Sequence, residues 1–303
     1  MDHGRRRHYG EFYGLVDEPG PVTLVHGNCQ AESLRVLLAG SPTFAPRPVR
    51  VPPVHELTAD DLPHLHALLA RTALLLSQPV RDGYRDLPLG TAELAARLPA
   101  GARVLRWPVV RYAGLHPWTV IVRHPLDMAA VPPVVPYHDL RTLTAAAGLP
   151  PAPRPDAAAL RAAAALSVAE LAAREEATDV GVADLLAGFG TDAAHTLNHP
   201  GNPVLIALAR RVQAAVGLPP DADDPGRALL GGVRAPLDPD VLDALGLDAE
   251  PRAHWLVDGV PVDDGQVRAA QRDWYSAHPE WVAAGLERHA PRREILAMTQ
   301  VTA

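Results

Sequence analysis

The sequence predicts an α/β fold, a mostly parallel sheet flanked by helices, with a largely helical C-terminal half. Three observations predict it. Short apolar runs alternate with helical patterns over the first 125 residues. That β-α-β-α-β-α-β order requires crossover helices, which cover both faces of a parallel sheet. From residue 156 onward nearly every patterned stretch is helical.

The elements follow in order. Pro21 to Val25 is a valine-rich apolar run, a buried strand that Gly27 ends. Residues 31–39 place Leu34, Leu37 and Leu38 on one helical face, and Gly40 stops that helix. Val49 to Val54 is extended but carries prolines, so it is an edge strand or a loop. Thr58 is a plausible cap for a helix bearing Leu62, Leu65, Leu68 and Leu69. Ala73 to Ser77 is a short apolar strand, and Thr91 to Leu98 is a helix after Gly90. Arg103 to Trp107 and Thr119 to Val122 are further strands. Beyond the proline-rich connector at 150–155, helices are expected at 156–177, 181–188, 202–216, 238–246 and 266–288, with a loop at 217–237. There is no internal repeat.

Composition excludes several classes of function. The 303 residues contain one cysteine, so neither an internal disulfide nor a thiol-rich zinc site is possible, and a reducing cytoplasm fits. A net charge of -7 argues against a nucleic-acid binder. No long apolar run is free of charge or proline, and no apolar segment follows the polar N-terminus, so neither a membrane span nor a signal peptide is expected. All 28 basic residues are arginine. No lysine can therefore form a Schiff base, and any anion must be held by arginine, backbone N–H groups or a helix N-terminus.

The one thiol has an informative position. His26-Gly27-Asn28-Cys29-Gln30 lies where a buried strand ends and a helix begins. A nucleophile placed there meets helix N-terminal N–H groups, which favour a thiolate and can hold a developing oxyanion. A buried structural cysteine is the competing reading. The amides Asn28 and Gln30 beside Cys29 are poorly suited to a core and favour a site. A cysteine nucleophile also needs a base. His195, Asn198 and His199 form a second polar cluster, followed by Asn202 and Pro203, which suit a helix cap and first turn. A metal shared by His195 and His199 would need a helix there, which Pro200 and Gly201 disfavour.

A third cluster runs from Ser77 through Gln78, Arg81, Tyr84 and Arg85, directly after a strand. It should open on the same sheet edge as Cys29, with its arginines gripping phosphate or carboxylate, unless they only pair with nearby aspartates. His138 and Asp139 are adjacent, and adjacent side chains usually point apart, which favours a structural use.

The segments VTLVHGNCQAESL, LLLSQPVRDGYRDLPLGTAELAARLPAGARVLRWP, PYHD and HTLNHPGNPVL resemble, in order and spacing, the WcbI-type polysaccharide biosynthesis proteins. The resemblance spans residues 20–217 as an α/β catalytic domain with a helical extension. Residues 1–19 then form a polar N-terminal segment and 218–303 a C-terminal helical extension. It implies acetylation of a capsular sugar with coenzyme A as the bound cofactor. The turn after the first strand is also similar, at the level of fold, to SGNH-type hydrolases and acyltransferases, which have a three-layer, flavodoxin-like core. There Cys29 takes the place of a serine, and His199 is the late histidine.

Together these readings imply an acyltransferase that moves an acyl group from acyl-CoA to a sugar or glycosylated small-molecule acceptor. Cys29, His199 or His195, Asn198 and Asn28 would be catalytic. His26, Gly27, Gln30, Gln78, Arg81, Tyr84, Arg85 and His138 would bind substrate or cofactor, with no metal. The long tail beyond residue 217 leaves the acceptor and the pathway open, and a homo-oligomer is compatible with the sequence. The rival readings are a thioesterase or deacylase built from the same parts, and a non-catalytic module binding coenzyme A or a nucleotide-sugar. A redox sensor would lack a partner thiol.

Overall fold

The structure, a computed structural model, describes residues 3–16, 19–123 and 130–298. In chain order its elements are α1 (His3–His8), β1 (Val22–His26), α2 (Cys29–Gly40), β2 (Arg47–Val49), α3 (Leu62–Leu69), β3 (Thr72–Ser77), α4 (Thr91–Ala95), β4 (Arg103–Arg106), β5 (Thr119–Val120), β6 (His138–Asp139), α5 (Leu140–Ala146) and α6 (Ala157–Glu175). A 3-10 helix (Ala183–Ala193) leads to β7 (Ala194–Thr196), β8 (His199–Pro200), α7 (Asn202–Ala215), β9 (Val233–Arg234), α8 (Pro239–Leu245), β10 (His254–Val257), β11 (Val260–Asp263), α9 (Asp264–Ala277), α10 (Pro279–Arg288) and α11 (Ala290–Ile295). No described helix is long and apolar enough to cross a membrane.

The chain forms two compact units, each gathered from three segments. The first unit comprises Met1–Val110, Ala172–Leu185 and Asn202–Leu230. Its sheet has the order β2-β1-β3-β4, and every pair in it is parallel. All five residues of β1 are buried, as a central strand covered on both faces requires. Strand residues alternate between faces. Val22, Leu24, Val49 and Leu75 share one core with Leu65, Leu68 and Leu69 of α3 and Leu94 of α4. Phe12 and Tyr13, from the polar N-terminal stretch, are buried in the same core. Tyr13 bonds the buried Asp61 carboxylate at 2.7 Å, and Arg5 reaches that carboxylate at 3.0 Å. On α2, Leu34, Leu37 and Leu38 are buried, and this helix packs against α7.

The second unit comprises Arg111–Leu171, Leu186–Gly201 and Gly231–Ala303. Its main core joins Trp118 and Val120 to Leu140 and Leu143 of α5, Leu160 of α6, and Tyr275 and Trp281 from α9 and α10. The expected strand at Thr119 to Val122 is real but shorter. It pairs antiparallel with β6 in this unit, so the parallel sheet has four strands.

Other boundaries differ for local reasons. The helix expected at 266–288 is two, α9 and α10, parted at His278, because Pro279 restricts the residue before it. The hairpin β10–β11 has no counterpart in the predicted elements. Its turn, Asp258-Gly259, has φ 49° and 81°, the left-handed pair that a tight two-residue hairpin demands. The expected helix at 181–188 is the 3-10 segment, kinked at Gly190.

Candidate active site

Strand order reverses between β1 and β3, and in open parallel sheets ligands bind beyond the strand C-termini at such a point. The Cys29 turn follows β1, and the Gln78–Arg85 loop follows β3. The sequence thus brings its first and third clusters to one sheet edge within the first unit.

Hydrogen bonds from buried amides lock the turn. Asn28 caps α2, its Oδ1 accepting from Gln30 N at 2.9 Å. Asn28 N donates to Gln78 Oε1 at 2.8 Å. Gln30 is fully buried and spans to Val110, donating to its carbonyl at 2.7 Å and accepting from its N–H at 3.0 Å. Gln78 Nε2 donates to Gln30 Oε1 at 3.3 Å. His26, also sealed in, bonds the Leu89 carbonyl through Nε2 at 3.0 Å. His26, Gln30 and Gln78 were expected at a ligand. Their burial gives them another task, which is to fix the backbone that carries Cys29. Asn28 is expected to stabilise an oxyanion; the cap engages its Oδ1, which leaves Nδ2 as the side-chain donor for that role.

Gly27 is required by this network. A Cβ there would lie 2.5 Å from Gln78 Oε1 and 2.8 Å from its Cδ. Gln78 cannot swing aside without losing its bonds to Asn28 and Gln30. Gly27→Ala is expected to cost about 1–3 kcal/mol, as overpacking does. In a Gln78→Ala background the same change should cost almost nothing, because the methyl enters vacated space. Denaturant melts of the four proteins measure the coupling, and additive costs would show that Gln78 does not fill this space.

Cys29 is half-buried at the first position of α2. Burial pushes its thiol pKa up, the N–H groups of Cys29 and Gln30 pull it down, and Glu56 pushes it up again. The net shift is upward, a correction to the thiolate expected from the helix N-terminus alone. Desolvation and a nearby carboxylate outweigh two N–H groups. Glu56 belongs to a short turn, 54–56, anchored by Val54 N donating to the Gly27 carbonyl at 2.8 Å. The sequence reading missed this turn, and its only signal was its place after β2, on the same sheet edge.

In the loop after β3, Gly83, Arg85 and Asp86 all have left-handed φ, at 62°, 55° and 63°. For Arg85 and Asp86 this is strain of about 1–3 kcal/mol each, held by surrounding bonds. Arg85 donates to the His55 carbonyl, and Gly83 N donates to Glu93 at 3.1 Å. Arg81 and Arg85 are exposed and, among the described residues, pair with no carboxylate. The local Arg–Asp pairing that would explain them away is absent there. Tyr84 sits between them, half-buried against the core.

The second unit holds the histidine cluster as a hairpin. His195 lies on β7 and His199 on β8, with Asn198 in the turn between them. Tyr137 OH donates to Asn198 Oδ1 at 2.8 Å, and its ring meets His199 edge-on at 6.3 Å. Burial, then the neighbouring His195, push His199 down to about 4, so its imidazole is neutral at pH 7. His138 is 2% exposed, stacked on Trp281 at 5.0 Å and bonded to Tyr275 OH at 2.5 Å. That enclosure makes it a core group, where a substrate contact was expected.

Comparison with known proteins supplies the family. The model of a family described as polysaccharide biosynthesis enzyme WcbI matches residues 22–221, which is 200 of 303 residues. A solved structure of WcbI, a polysaccharide biosynthesis enzyme, is similar with a TM-score of 0.77 at 22% identity. The match covers 92% of this chain and 98% of that one. That structure is described as native protein without a disulfide bond between coenzyme A and one of its cysteines. At this identity the likeness shows a shared fold. No curated protein matches the chain.

Proposed function

We propose that this chain, which belongs to the WcbI family of polysaccharide biosynthesis enzymes, transfers an acetyl-type acyl group from acyl-CoA to a sugar or glycosylated acceptor. The observation that carries the reading is Cys29, a half-buried thiol at a helix N-terminus where the parallel sheet reverses its strand order. The coenzyme A and cysteine named together for the similar WcbI structure support the same donor.

The residues present fit such a donor. A thiol-ended ligand carrying phosphates needs a site for sulfur chemistry and cations for its anionic end. Cys29 offers the first, and the exposed guanidiniums of Arg81 and Arg85, on the loop after the neighbouring strand, offer the second. Bound acyl-CoA supplies the acyl group as an activated thioester. Cys29 Sγ would attack the thioester carbonyl and keep the acyl group as the carbon–sulfur bond to coenzyme A breaks, the free coenzyme A thiol leaving with the proton taken from Cys29. The acceptor hydroxyl would then take the acyl group and give its proton back to Sγ. The N–H groups of Cys29 and Gln30 favour negative charge on Sγ. Because burial keeps the resting thiol protonated, the step requires a base, and we assign that role to His199, with His195 as the alternative.

Acetyl-CoA incubated with candidate sugars, with products read by mass spectrometry, tests the reading. Thiol release that depends on a sugar is expected. Free acid released without any acceptor would make the chain a thioesterase or deacylase. Tight coenzyme A binding without turnover would make it a binding module.

The base has its own test. A histidine held near 4 stays competent well below the usual imidazole range. The acid limb of kcat/KM is therefore expected near pH 4, and His199→Gln should lower the rate by about a hundredfold. A limb at pH 6–7, recorded where the fold is intact, assigns the base elsewhere.

A further inference from the structure

The second unit contains a cavity of about 390 Å³, with charged side chains set among apolar ones in its wall, that the proposed chemistry leaves without a role. Its volume falls in the usual range for small-molecule sites, about 300–1,000 Å³. Its wall carries three guanidiniums, Arg141, Arg252 and Arg268, and three carboxylates, Asp139, Asp238 and Asp264. Two pairs are satisfied within it. Arg141 meets Asp139 at 2.6 Å and lies over the Trp118 ring at 4.3 Å. Arg268 meets Asp264 at 2.5 Å, and Trp255 Nε1 also donates to Asp264, at 3.0 Å.

Arg252 differs. Among the described residues no carboxylate pairs with it, and its buried Nε, like that of Arg268, has no acceptor. It donates Nη2 to the Ala235 carbonyl at 2.5 Å. Burial and the nearby Arg234 lower its pKa, whereas Asp139 raises that of Arg141 against the effect of burial. The Arg252 backbone is bonded in both directions to Leu237, at 3.0 and 2.8 Å, which fixes the side chain's origin on the wall. A partly buried cation without a counter-charge is costly, and a bound anion removes that cost. The carboxylates of the wall would repel a polyanion but would accept hydrogen bonds from hydroxyl groups.

We infer that this cavity binds a sugar carrying one anionic group, a phosphate or a carboxylate. Arg252 receives the anion, and the Asp–Arg pairs receive the hydroxyls. The cavity beyond Trp118 and Arg141 is larger, about 470 Å³, but Leu149, Pro151, Leu296 and Met298 make it the less suitable place for a sugar. The inference goes beyond the proposed function, because it assigns a ligand to a cavity of the second unit that the Cys29 chemistry does not use. Binding is read without coenzyme A, so its failure and the failure of acyl transfer are separate results.

The test is a tryptophan-fluorescence titration of the full chain, since Trp118 and Trp255 line the cavity. The probes are glucose 6-phosphate, glucuronate, glucose and inorganic phosphate. At least one charged sugar is expected to bind about tenfold or more tightly than glucose and than inorganic phosphate. The two charged probes distinguish a phosphate from a carboxylate. Arg252→Gln should erase that preference, and Arg252→Lys should restore part of it. Charged sugars no tighter than glucose, phosphate alone as tight as a sugar phosphate, or a preference that survives Arg252→Gln would each overturn the inference.

Discussion

Cys29→Ala is expected to lower acyl transfer by about a thousandfold or more while the fold stays intact. The two parts of that expectation have separate causes. Cys29 is half-buried at a helix N-terminus, and the helix register depends on Asn28, Gln30 and Gln78, none of which needs the sulfur. Removing one sulfur atom from a small side chain costs little packing. The thiol is also the only one in the chain, so no second sulfur can take over the group. Cys29→Ser keeps the shape but offers a much weaker nucleophile, and a rate between those of wild type and alanine is expected. Intact-protein mass spectrometry with acetyl-CoA and no acceptor should detect an acetyl adduct on the wild type and none on the alanine variant. Near wild-type turnover in Cys29→Ala would sink the nucleophile role and leave the thiol as a lining of the donor site.

That result also bears on how the thiol is activated. Burial and Glu56 raise the Cys29 pKa, so N–H groups at the helix terminus do not by themselves produce a thiolate. The turn sets the position of the sulfur, and a nucleophilic role for it would require that its proton be removed during the reaction. Burial keeps the His199 imidazole neutral at pH 7 and so able to accept a proton, but by lowering its pKa it also makes His199 a weaker base than a free imidazole.

Much of this arrangement was legible in the sequence, because local rules and tertiary packing agree there. Pro21 to Val25 reads as a buried strand, and β1 is Val22 to His26, one residue further on. From the order of strand and helix patterns came the parallel sheet, and hence the meeting of Cys29 with the Gln78–Arg85 loop at one edge. What could not be read was burial. Gln30, Gln78, His26 and His138 are polar, so composition points them toward ligands, but each is at most 2% exposed. Their partners, Val110, Asn28, Leu89 and Tyr275, are 50 to 137 residues away, beyond the reach of any local pattern. Glu56 escaped notice because no motif marks a short turn after an edge strand. The Asp258-Gly259 hairpin is a different case, since a tight-turn signal was present between two extended runs and was not used.

The melting temperature is expected to fall steeply between pH 6.5 and pH 4, because the chain buries several histidines in neutral form. Burial holds His26, His116, His199 and His289 near 4 and His138 near 3, against about 6.5 in an unfolded chain. Between those values the unfolded chain binds more protons than the folded one. Stability therefore rises with pH across the window, and is lost as pH falls below 6.5 until the folded imidazoles themselves protonate. At only about 1 kcal/mol apiece, five such groups approach a typical folding margin of about 5–15 kcal/mol. The buried Asp61 carboxylate does not compete for this window. Burial pushes Asp61 upward, but Arg5, the Thr58 backbone and Tyr13 hold it at about 2, so its contribution is lost only below its ordinary value of 3.8. Thermal melts from pH 8 to pH 4 provide the measurement. His138→Phe keeps an aromatic ring against Trp281 and gives up the bond to Tyr275, so it should melt lower at pH 7.5 yet lose less on acidification. A melting temperature that stays flat down to pH 4.5 would show that these imidazoles are not held neutral by the fold.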